Sequence, residues 1–90
     1  MQYCSKYKIT VSFKNLSWLI RKAKRKAGIT TKELAIKSGI SYWPLTRAEW
    51  HGDFTRDNLD KLFTALHHYM TVEDKYKIAS ALNDDELWGT

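Results

Sequence analysis

The sequence predicts an all-α fold: a compact bundle of four to five helices, with a short strand at the N-terminal end and a candidate second strand near the C-terminal end. Three observations carry this. Several segments repeat apolar residues at i, i+3, i+4 and i+7. Each is opened by a Ser or Thr that can cap a helix, at Ser12, Thr30, Ser41 and Thr55. Glycines at 28, 39 and 52 stand just past the points where three of the periodic segments stop. Ninety residues suffice for one domain and not for two. We place that domain at residues 1–82 and expect an acidic, flexible tail over 83–90. So short a chain buries a modest core, which suits a small helical domain or a dimer.

The elements follow in order. From Lys6 to Phe13 the chain alternates, with Tyr7, Ile9, Val11 and Phe13 on one side and Lys6, Lys8, Thr10 and Ser12 on the other. That period of two predicts a strand. A lone strand cannot satisfy its backbone, so its partner comes from the C-terminal half or from another subunit. Ser12 is the expected N-cap of a helix over Phe13–Ala27, with Val11 and Leu16 as a hydrophobic staple. Leu16, Ile20, Ala23 and Ala27 form its buried stripe. Thr30, with Glu33 three residues on, makes a capping box for a short helix over Thr31–Ser38. Ser41 caps a third helix that reaches about Trp50. Pro44 is tolerated in its first turn, and Leu45 and Ala48 face inward. His51, Gly52 and Asp53 stop it. A fourth helix runs from Thr55 to about His68 on Leu59, Leu62, Phe63 and Leu66. Residues 69–82 have two readings. Tyr69–Val72 fits a strand that pairs with the first one; equally, Thr71 with Asp74 caps a fifth helix bearing Val72, Tyr76, Ala79 and Leu82.

Composition excludes several classes. The apolar runs are far too short to span a membrane. The start of the chain is polar and lysine-bearing with no apolar core behind it, so we expect a cytoplasmic protein. Cys4 is the single cysteine, and His51, His67 and His68 have no ligand-type spacing to it, so neither a metal nor another cofactor is expected. No paired carboxylates, no nucleophile with a base and no Gly-rich phosphate loop point to an enzyme. Charge is more informative. Residues 1–56 carry twelve Lys or Arg against three acids, a balance of +9. Residues 57–90 carry three lysines against seven acids, a balance of −4. A basic front and an acidic back suggest a polyanion facing one end of the molecule. Lys14 and Lys26 are candidates for contact with its phosphates.

Two short capped helices about a Gly-bearing turn are the helix-turn-helix pattern. The first is short enough to brace the second from behind. The glycine lets the turn take a left-handed conformation, and the second helix then projects into a major groove about 12 Å wide. Over Lys22–Leu66 the chain resembles the lambda-repressor/Cro-like (XRE) family. The resemblance rests on Ala27-Gly28-Ile29-Thr30, Glu33-Leu34-Ala35, Ser38-Gly39-Ile40-Ser41, Leu45-Thr46-Arg47-Ala48-Glu49 and Leu59-Asp60-Lys61-Leu62-Phe63-Thr64-Ala65-Leu66. It implies base reading by Tyr42, Trp43, Thr46 and Arg47. Arg47 suits a bidentate contact to guanine, and Thr46 and the aromatic edges suit thymine methyls. Trp43 alternatively packs at a dimer contact. The resemblance also implies phosphate contacts at the helix N-termini, from Thr30, Thr31, Lys32 and Ser41. Thr31 stands where relatives carry a Gln that contacts phosphate or braces the third helix, and it reaches less far. The family's buried Arg–Glu pair between the first and third helices maps onto Lys24 and Glu49.

Outside this core the chain resembles the HipB-type antitoxin branch. There a short strand, here Met70-Thr71-Val72, joins a sheet across the dimer, and a short tail ends near a Trp, here Leu87-Trp88. That branch implies a homodimer that represses its own operon on a palindromic operator in double-stranded DNA and binds a HipA-type kinase toxin. Leu87 and Trp88 are then the candidate partner-binding residues. Two rival readings stand beside it. One is a phage or mobile-element repressor with no toxin. The other is a protein-interaction module that no longer binds DNA, suggested by the bulky Tyr42, Trp43 and Trp50.

Overall fold

A computed structural model describes residues 10–89. In chain order they form β1 (Val11–Ser12), α1 (Lys14–Ala27), α2 (Thr31–Ser38), α3 (Tyr42–His51), β2 (Asp53–Phe54), α4 (Arg56–Leu66), a 3-10 turn (His67–Tyr69) and α5 (Val72–Leu82). The molecule is mostly helical, with a two-stranded sheet at one edge. Among the described residues no helix is long and apolar enough to cross a membrane.

The helix ends follow from local chemistry. The Thr30 hydroxyl accepts the Glu33 N–H, and the Glu33 carboxylate accepts the Thr30 N–H, so two backbone donors at the start of α2 are satisfied reciprocally. Thr55 and Thr71 cap α4 and α5 by accepting the N–H of Asn58 and of Asp74. Gly52 ends α3 at φ 74°. Its peptide also lies hard against the start of α1: the Phe13 N–H donates to the Gly52 carbonyl at 2.7 Å.

One core unites the elements. Leu16, Leu19, Ile20 and Ala23 of α1 meet Leu34 of α2, Leu45 and Ala48 of α3, Leu59, Leu62 and Leu66 of α4, and Ile78 of α5. Phe54, wholly buried, brings β2 into it. Burying side chains of this size stabilises by about 1.5–3 kcal/mol each before entropy is counted.

Several expectations are corrected. Of the expected strand over Lys6–Phe13, residues 6–9 lie outside the described residues, and only Val11–Ser12 of the rest is strand. Its partner is intramolecular and distant in sequence, from the C-terminal half as one of the two expectations had it. Val11 pairs with Phe54 and Ser12 with Asp53, antiparallel, on the segment expected only to stop α3. Ser12 does not cap α1, because the helix opens one residue later, with the Phe13 carbonyl accepting its first backbone bonds. Phe13 occupies the cap position without a side-chain bond. Residues 69–82 resolve as helix: Met70-Thr71-Val72 is no strand, since Thr71 caps α5 and Val72 is its first residue.

The acidic tail is folded rather than loose. Residues 83–89 turn back onto the body. Arg56 donates from Nε and Nη2 to the Leu82 carbonyl and from Nη2 to Asp85. Trp88 is 3% exposed. Its indole N–H donates to the Ala81 carbonyl at 2.7 Å, and its ring lies 6.0 Å from that of Phe13. The expected boundary between 82 and 83 is therefore no structural break. Trp88 serves the core instead of offering itself to a partner, and Leu87 beside it is half-buried against the same core. An apolar ring with one N–H donor gains more from a groove supplying a carbonyl than from water.

Candidate nucleic-acid interface

The third helix has two unlike faces. Inward, Leu45 and Ala48 are buried in the core, and Glu49 is fully buried. A buried carboxylate is costly unless paired and hydrogen-bonded, and this one is both. Lys24 Nζ of α1 donates to Glu49 Oε1 at 2.8 Å, and the Thr31 hydroxyl of α2 donates to the same oxygen at 3.1 Å. Lys24 also donates to the Thr31 oxygen at 2.8 Å. Three helices are thus tied through one carboxylate, and the axial rotation of α3 is set. The expected Lys24–Glu49 pair is present. Of the two roles expected at Thr31, the structure shows the brace: its hydroxyl is committed to this knot and ties α2 to α3.

Outward, α3 presents Tyr42, Trp43, Arg47 and Trp50. Trp43 is 73% exposed and Trp50 62%. Tyr42 and Trp43 lean together edge to face, with centroids 5.5 Å apart, and neither enters the core. Trp43, Arg47 and Trp50 are spaced i, i+4, i+7 and share one stripe. Thr46 is half-buried, and its hydroxyl donates to the Tyr42 carbonyl at 2.9 Å, which leaves its methyl and a lone pair for contacts. Ser41 is exposed at the N-cap and makes no cap bond.

The flanking cations sort by their partners. Lys22 pairs with the buried Asp74 at 3.0 Å, Lys24 with Glu49, Arg56 with Asp85, and Lys61 with Asp57. Lys14, Lys26, Lys32 and Arg47 are exposed and make no ion pair among the described residues. Lys14 begins α1 beside the exit of α3; Lys26 stands in the last turn, roughly 18 Å along the helix axis. Thr30 and Lys32 are exposed at the start of α2. These residues therefore frame α3 from several elements and do not form one cluster.

Beside the N-terminal half of α3 runs an open groove of about 820 Å³, bounded by Trp43, Pro44 and Arg47 on one side and Asp53, Asp57 and Lys61 on the other. Its two carboxylates are matched by two cations, Arg47 and Lys61, the latter paired with Asp57 at 3.1 Å. Across α3, Arg21 of α1 lies over the Trp50 ring, 5.1 Å from its centroid. Reading the sequence placed Trp50 on the presented face but gave Arg21 no role. Their contact joins residues 29 apart and has no local signature. Comparison with family models, with curated proteins and with solved structures finds no match for this chain.

Proposed function

We propose that the chain is a sequence-specific regulator that binds double-stranded DNA through a helix-turn-helix formed by α2 and α3, as a homodimer on a palindromic operator. One observation carries this reading: α3 is tied to the body along one side by Leu45, Ala48 and Glu49 and leaves Tyr42, Trp43 and Arg47 exposed on the other. Thr31, locked to Glu49, is how α2 braces it. Arg47 offers a planar fork of donors matched to the O6 and N7 edge of guanine. The aromatic pair offers apolar edges for thymine methyls. A single α3 reads few base pairs. Two copies double the footprint, and each wrong pair costs about 1–3 kcal/mol.

The proposal includes no kinase partner. The strand and the free Trp on which the antitoxin resemblance rested have other uses in the fold, as the start of α5 and as core. An interaction module remains the second reading, favoured by the exposure of Trp43 and Trp50. Ionic strength separates the two. In an anisotropy titration against the labelled duplex upstream of its own gene, DNA binding weakens with a log–log slope of about −0.9 per phosphate contacted. The same duplex scrambled binds about 10³-fold more weakly or worse. Affinity indifferent to both salt and sequence would instead favour the interaction module.

A further inference from the structure

Arg21 is treated by the fold unlike its neighbours. Lys22 and Lys24 on the same helix are each claimed by a buried acid, Asp74 and Glu49. Arg21 makes no hydrogen bond or ion pair among the described residues, and its Nε is buried without an acceptor. What holds it is the Trp50 ring, 5.1 Å below the guanidinium carbon. A buried N–H without an acceptor costs stability, so the fold retains this arrangement without polar compensation of its own. The guanidinium stays charged at any physiological pH. Held over an indole it loses rotamer freedom in advance, which lowers the cost of binding an anion later. Its two terminal nitrogens carry N–H donors in the fork geometry that suits phosphate oxygens.

Position names the anion. Trp50 lies on the stripe of Trp43 and Arg47, about 10 Å farther along the axis of α3 than Trp43. With the Trp43–Arg47 end over base edges in a groove about 12 Å wide, the Trp50 end meets the wall of the groove, where the phosphates run. We propose that Arg21, held over the Trp50 ring, is a preformed clamp for a backbone phosphate of the duplex. Trp50 is its positioning residue and does not read a base. This rests on the duplex-binding reading above.

The test uses the full chain and the upstream duplex, titrated at several salt concentrations, with Arg21→Ala, Arg21→Lys and Trp50→Ala, and with thermal midpoints measured alongside. Arg21→Ala is expected to weaken binding to specific and scrambled duplexes alike, by roughly tenfold, and to reduce the salt slope by about 0.9. Arg21→Lys keeps most of the slope and recovers part of the affinity, because the charge remains without the fork. Trp50→Ala lowers affinity with the slope retained, since the cation stays but is no longer held. An unchanged affinity and slope in Arg21→Ala, with the wild type binding normally, overturns the clamp alone. A change in sequence preference in Trp50→Ala overturns its positioning role. A wild type with no salt-dependent duplex binding removes the clamp and the proposed function together.

Discussion

A left-handed glycine stands at each approach to α3, Gly39 ending α2 just before it and Gly52 capping its own C-terminus, yet the two are built differently. At Gly39, φ is 77° and an added Cβ would meet nothing within 4 Å. At Gly52, φ is 74° and an added Cβ would lie 2.7 Å from the Phe13 carbonyl oxygen. At the entry the glycine itself is unconfined, and Ile40 beside it, buried in the core, ties the turn down. The exit is wedged against the start of α1, and Phe13 is backed in turn by Phe54 and Trp88. The helix is therefore anchored along its inner side and at both approaches, by Ile40 at the entry and by the Phe13 contact at the exit, and only at the exit is the glycine itself confined. A helix with a fixed direction and an exposed outer face is what the proposed insertion into a groove requires.

Substitutions should expose this asymmetry. The largest losses are expected where the anchoring is deepest. Glu49→Ala strands Lys24 in a half-buried site and should cost about 3–5 kcal/mol, measured by urea denaturation. Trp88→Ala should cost a similar amount, about 3–5 kcal/mol, by opening a cavity under Phe13. A loss below about 1 kcal/mol there would mean the tail does not support the exit. Gly52→Ala follows, at about 2–5 kcal/mol, because backbone strain adds to displacement of Phe13. Gly39→Ala should cost about 1–2 kcal/mol, from strain alone. Equal costs at the two glycines would erase the distinction between the ends. Smallest in stability is Arg47→Ala, within about 0.5 kcal/mol of wild type. It should nevertheless lose about 1–3 kcal/mol of discrimination at a single base position.

Much of this architecture was legible in the sequence because it is local. The Thr30–Glu33 capping box, the glycine stops and the stripe over Leu59, Leu62 and Leu66 depend on residues within a few positions of one another. The readings that failed depend on distant partners. Ser12 has the chemistry of an N-cap, but it pairs with Asp53 in the sheet and the helix opens one residue later, and a two-residue strand such as Asp53–Phe54 leaves no periodic trace. The segment 83–89 looks solvated by composition. What folds it is Trp88 finding the Ala81 carbonyl and the Phe13 ring, together with Arg56 bonding Leu82 and Asp85.

The candidate interface divides in the same way. The exposure of Trp43 and Arg47 agrees with helical phase counted from Leu45 and Ala48, whereas Tyr42, three residues before Leu45, is exposed as the first residue of the helix. The commitment of Thr31 and the placement of Arg21 over Trp50 required three dimensions. Thr31 also shows how a shorter side chain changes role: it stops at Glu49 instead of reaching outward.

The central claim is that the outer face of α3 reads duplex sequence. Selection from a randomised duplex pool by the purified wild-type chain tests it most directly. The account predicts enrichment of one inverted repeat, with half-sites about 34 Å apart or a multiple of that spacing. Recovery of a pool no different from the input would contradict it.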